Sequence, residues 1–118
     1  MNIRKIAFLN LWTIFILFII NSNAYSQKVY SVDRDYKADV KVYVTDNDYN
    51  ADLLVFKVDR DYKATNNQGR WYFADRDYKA DKKIYFVDRD YKADLKIYFV
   101  DRDYKAKWRD VSKKYLMY

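Results

Sequence analysis

The sequence predicts an all-β fold, a closed ring or barrel of about seven short strand-turn repeats of 13 residues each. Three observations carry this. From residue 28 onward the chain is self-similar, with successive units starting 13, 13, 16, 13 and 13 residues apart. Each unit gathers β-branched and aromatic residues into one run and Asp into the next, which is how a strand followed by a turn reads. One such unit cannot bury an apolar face alone, so units must pack on one another, and closing the array removes the exposed edges that invite aggregation.

The first element lies outside the repeat. Arg4 and Lys5 form a basic start, residues 6–20 are apolar except for Asn10 and Thr13, and residues 21–27 are polar. Ala24 and Ser26 match the small-x-small pattern of a signal peptidase site, so residues 1–26 read as a secretory signal peptide cleaved near Ser26 or Gln27. The competing reading is an uncleaved membrane anchor, although an apolar run of this length is short of the roughly 20 residues that span a bilayer. With no Cys, a lipoprotein is excluded. The expectation is therefore a chain secreted or delivered to the periplasm, with residues 27–118 as a single repeat domain that does not span a membrane.

Six units follow: KVYSVDRDYKADV from Lys28, KVYVTDNDYNADL from Lys41, LVFKVDRDYKATNNQG from Leu54, RWYFADRDYKADK from Arg70, KIYFVDRDYKADL from Lys83 and KIYFVDRDYKAKW from Lys96. Eight residues of strand and five of turn account for the period, and the alternation in residues 93–99 lets a strand begin before the unit as written. The third unit carries three extra residues, so residues 65–69 (TNNQG) form a loop of their own character. After Trp108 the pattern decays, and residues 114–118 resemble only the start of a seventh, degenerate strand.

The turn contains neither Gly nor Pro, so its first Asp is expected to reverse the chain by accepting a backbone N–H two residues on, as an Asx-turn. Asp33, Asp46, Asp59, Asp75, Asp88 and Asp101 hold that place. The Tyr three residues later (Tyr36, Tyr49, Tyr62, Tyr78, Tyr91, Tyr104) is expected to bury its ring and leave its hydroxyl at a polar edge. The Ala two further on (Ala38, Ala51, Ala64, Ala80, Ala93, Ala106) never enlarges, which predicts close approach of two backbones.

Composition narrows the chemistry. The chain has no His, Cys, Pro or Glu and a single Gly, Gly69. Zinc and haem sites built on His or Cys, His-based acid–base catalysis, disulfides and multi-glycine phosphate cradles are all excluded. Removing residues 1–26 takes the 23 bases to 21 against 17 acids, all Asp, a net charge of +4. Signs alternate along the chain, so no basic stripe neutralises a row of phosphates and nucleic acid is not an expected partner. The nearest basic patch, Lys105, Lys107, Arg109, Lys113 and Lys114 against Asp103 and Asp110, reads as a solvated terminal face.

The Asp-x-Asp turns are the one constellation with site-like chemistry, since closely spaced carboxylates are hard oxygen ligands. They lack the third ligand, the Gly and the bidentate Glu of a calcium loop, and an Arg between the two Asp in five turns offsets their charge. Structural turns are expected, and no metal ligand is assigned. Repetition also argues against catalysis, because six equivalent Asp pairs do not make one tuned acid and nucleophile. No catalytic or cofactor-binding residue, cofactor or small-molecule substrate is assigned. Among the 14 Tyr, seven Phe and three Trp, those at fixed strand positions read as core; Trp71 and Trp108, which replace smaller residues, are the ones to watch as ligand contacts.

A strand of the form [KR]-[VI]-Y-x-V followed by D-x-D-Y-x-A-D-L, repeated about seven times between Lys28 and Tyr118, resembles the bacterial septoil-knot family. The resemblance implies short strands wound around a compact toroid with a seven-crossing torus knot, and it brings no enzymatic activity. Residues 65–69 and the eroded last unit depart from an even repeat. The expected function is that of an exported, non-enzymatic structural or interaction protein with an envelope or extracellular partner. A calcium- or carbohydrate-binding module using the Asp-x-Asp turns or exposed aromatics is the alternative.

Overall fold

The computed structural model describes residues 26–118; the segment read as a signal peptide lies, but for Ser26, outside the described residues. Seven strands are formed: β1 (Lys28–Ser31), β2 (Val40–Val44), β3 (Leu53–Lys57), β4 (Arg70–Phe73), β5 (Lys82–Phe86), β6 (Leu95–Phe99) and the short β7 (Lys107–Trp108). Six single-turn 3-10 segments separate them: turn 1 (Asp35–Lys37), turn 2 (Asp48–Asn50), turn 3 (Asp61–Lys63), turn 4 (Asp77–Lys79), turn 5 (Asp90–Lys92) and turn 6 (Asp103–Lys105). Strands of four or five residues are shorter than the eight predicted, because the chain leaves the sheet before the first Asp of each turn.

The sheet order is β4-β1-β5-β2-β6-β3, and β3 pairs back to β4, so six parallel strands close into a barrel. β7 adds antiparallel to the first half of β3. The uniform repeat left strand direction open; every pairing within the barrel is parallel. Parallel neighbours ordinarily need a crossover of a dozen residues or more. Here the link from β1 to β2 is residues 32–39 alone. It suffices because the chain never runs back. Ser31 at the end of β1 and Val40 at the start of β2 both flank Ile84 of β5, so the link has one strand to step over. Val44 and Leu53 flank Ile97 in the same way, Phe86 and Leu95 flank Val42, and Phe73 and Lys82 flank Val29.

Consecutive strands thus sit two places apart on the ring, except β3 and β4, which are neighbours, and the chain circles the axis nearly twice. Each strand lies beneath one link while its own link lies over another strand: turn 1 packs on β5, turn 2 on β6, turn 4 on β1, turn 5 on β2 and turn 6 on β3. Six links, each packed over one strand, give a winding in keeping with the torus path that the resemblance implies. Chains seldom thread their own loops, and this one does so through a repeat rather than through a single long excursion.

One apolar cluster fills the barrel. Val29, Val42, Val55, Trp71, Ile84 and Ile97, the second residue of each unit, are fully buried, joined by Val40, Leu53 and Leu95 where strands begin. At the end where strands finish, Phe73, Phe86 and Phe99 close the mouth, with Lys57 Nζ 4.5 Å from the Phe99 ring centre. The opposite mouth is shut by the tail. Residues predicted as a seventh strand start instead form a 3-10 segment (Val111–Met117) whose Met117 is buried in the core. The loop at residues 65–69 straps this tail: Trp108 Nε1 donates to Asn67 O at 2.8 Å and Asn67 Nδ2 to Lys114 O at 2.9 Å.

Candidate functional site

The turns form the outer belt of the barrel. Each is closed by backbone bonds, as where Lys37 N donates to Arg34 O at 3.2 Å and Ala38 N to Asp35 O at 3.1 Å. The first Asp of the turn engages the lysine four residues on: Asp33–Lys37, Asp59–Lys63, Asp75–Lys79, Asp88–Lys92 and Asp101–Lys105 pair at 2.9–3.4 Å. This corrects the Asx-turn expected of the six turn Asp, five of whose carboxylates are drawn to lysine instead; that geometry is found at Asp110, whose Oδ1 accepts from Ser112 N at 3.1 Å. In the second unit Asn50 stands where the lysine would be, and Thr45 Oγ1 takes the Asn47 N–H instead.

These contacts set the electrostatics. The Lys37 charge beside Asp33 holds its carboxyl below the ordinary range, and hydrogen bonds from Lys63, Lys79, Lys92 and Lys105 do the same for Asp59, Asp75, Asp88 and Asp101. The reciprocal bonds raise Lys63 and Lys105. A carboxylate already held by lysine is a poor start for a metal centre, and among the described residues no three carboxylates converge on one.

The turn tyrosines correct the expectation of buried rings. Tyr36, Tyr49, Tyr62, Tyr78, Tyr91 and Tyr104 are 68–78% exposed. The physical reason is height: the link arches over a strand, so its apex is the outermost layer and nothing lies above it to pack on. Six large aromatic side chains standing in water on one domain are more than scattered surface apolarity requires. Trp71 departs from a ligand-contact role in the other direction, being fully buried on the barrel axis, while Trp108 is half-buried and tied to Asn67.

A second function of the repeat was not read from sequence. In four of the six units a third Asp clips the link to the strand it crosses. Asp39 N donates to Lys83 O and its Oδ2 accepts from Lys83 N; Asp52 treats Lys96, Asp94 treats Lys41 and Asp81 treats Lys28 in the same way, at 2.7–3.2 Å. The D-x-D-Y-x-A-D spacing, kept in four of the six units, was the available signal. Of the six repeat Ala, Ala51 and Ala64 are buried and Ala38, Ala80, Ala93 and Ala106 half-buried.

Between neighbouring turns run five consecutive open grooves of about 240 to 800 Å³. The groove between turns 4 and 1 has Tyr30 on its floor, the Asp33–Lys37 pair on one wall, Asp77 on the other and Lys83 between. Next round the ring, Tyr85, Asp88–Lys92, Asp35 and Lys41 repeat the set. Tyr43, Asp46, Asp90 and Lys96 follow, then Tyr98, Asp101–Lys105, Asp48 and Lys107. The last, between turns 6 and 3, substitutes Phe56 for the tyrosine and Arg70 for the lysine. The ring therefore presents an aromatic floor, two acceptor walls and a cation five times over.

A comparison with family models matches residues 26–109 to the 7(1) septoil knot domain. Searches of curated proteins and of solved structures found no match. Repeat, closed parallel barrel and winding agree with that description, and the chain belongs to the septoil knot family.

Proposed function

We propose that this chain is exported and acts outside the cytoplasm as a non-enzymatic structural or interaction protein whose working part is the belt of turns. One observation carries the reading: six turns of a single rigid barrel hold their tyrosines in solvent, five of them over the same Asp–Lys pair. A catalytic centre concentrates its perturbed groups in one cleft. Here every regular turn has the same depressed carboxylate, which suits repeated contact with a partner. The basic start, apolar run and small-x-small site of residues 1–26 support export. No helix among the described residues is long and apolar enough to cross a membrane.

Fractionating the native host and weighing the intact protein tests the reading. A mature mass beginning near Gln27, in the periplasm or medium, is the expected result. Full-length protein retained in the cytoplasm overturns it.

A further inference from the structure

We infer that the five consecutive grooves form one track for a neutral polysaccharide, a ligand class that rests on the interaction role proposed above and sharpens it. The chemistry of a groove decides the class. A tyrosine floor such as Tyr30 or Tyr85 offers a flat face with a polar tip, which suits the apolar face of a sugar ring. Asp33 and Asp77 are acceptors and Lys83 a donor on the walls, the complement of hydroxyl groups that both give and take hydrogen bonds.

Charge favours a neutral chain over a polyanion. In the groove between turns 4 and 1, Asp33 and Asp77 balance Lys37 and Lys83, and between turns 1 and 5, Asp35 and Asp88 balance Lys41 and Lys92. Each of the five grooves sets at least two Asp among its cations, so none offers a phosphate or sulfate chain an unopposed cationic step. Repetition argues for a polymer: equivalent grooves follow one another round the ring, so a chain engaging one raises the effective concentration of its next residues at the neighbour. The turn tyrosines, standing above the groove edges, supply further stacking faces at no cost to the core.

The test is titration calorimetry of the mature protein against soluble neutral glucans, mannans and xylans, with heparin and alginate as polyanions. The expected result is binding to a neutral polymer that survives 0.5 M NaCl, tightens with oligosaccharide length, and weakens at least tenfold in the Tyr36→Ala, Tyr78→Ala, Tyr91→Ala triple variant. These rings lie outside the core, and an unchanged circular dichroism melt confirms that the variant is folded. Binding to none of the neutral polymers, binding to polyanions alone with loss in salt, or an unaffected triple variant each overturns the inference. If the fractionation shows export while titration fails, the ligand class falls and the exported role stands; cytoplasmic retention removes the exported role whatever the titration shows.

Discussion

At the link after β5, Asp94 clips to both backbone groups of Lys41, the Asp88–Lys92 pair braces the turn, and the step to β6 takes the standard spacing. At the link after β3, Thr65 stands where that Asp would be and three more residues are needed. What holds this seam is different: an isolated bridge from Ser26 to Thr65, the Trp108 and Lys114 contacts of Asn67, and the close passage of Gly69 over β3. Both links keep their internal Asp–Lys pair, but the regular link is clipped by an Asp of the repeat, while the seam is held by residues that occur once. A repeat can specify every crossing except those where its ends must be fitted in, and there the sequence turns individual.

The largest effect is expected beside the seam. Trp71 fills the axis position that is Val or Ile in the other units. Trp71→Ala should cost about 3–5 kcal/mol in urea unfolding, against about 1 kcal/mol for Ile84→Val in a regular unit. Equal losses would mean that the core does not distinguish the two regions.

Gly69→Ala should come next, at about 3 kcal/mol. Gly69 has φ +94°, and a Cβ there would lie 2.4 Å from Leu54 O, a backbone atom that cannot move aside cheaply. Arg89→Ala, in the exposed turn after β5, should change the melting temperature little.

The clips allow a finer comparison. Asp52 meets Lys96 N and also Lys113 Nζ of the tail, both through Oδ2 at 2.9–3.0 Å, and its side chain is 13% exposed. Asp52→Ala should cost about 2 kcal/mol and Asp94→Ala about 1 kcal/mol. The reverse order would show that the tail contact adds nothing.

The smallest effect concerns pH. The carboxylates of Asp33, Asp59, Asp75, Asp88 and Asp101 lie below their ordinary values, so their stabilisation is present above the unfolded pKa near 4 and is lost as pH falls through the lower folded values. Lys63 and Lys105 are raised, so theirs is complete below about pH 10 and lost as pH rises through the folded values. Melting temperature should be flat across neutral pH and fall slightly below pH 4, less so in high salt because these pairs are solvent-exposed. A shift near pH 6–7 would contradict this, since the chain has no His.

Much of this was legible beforehand. The period announced a closed array, and the cluster around Lys83-Ile84-Tyr85-Phe86-Val87 located a strand correctly. Parallel pairing was not legible, because identical units look the same in either direction. Nor was the elevation of Tyr91: a ring three residues after an Asp is buried or bare according to whether a link passes over or under, which no local window contains. The clip of Asp94 was not legible for a like reason, its partner Lys41 lying 53 residues away. The tail misled by composition, since Lys114 and Tyr115 imitate a strand start while Met117 is needed as a stopper.

Gln27, buried at one end of the domain, donates from Nε2 to Met117 O at 2.9 Å, so the two extremities of the domain touch. A few spliced residues between them would make a macrocycle whose entanglement no denaturant could release. Such a molecule, fully unfolded in urea, should run more compactly than a circular chain of equal length without the knot, and should refold without having to thread anything.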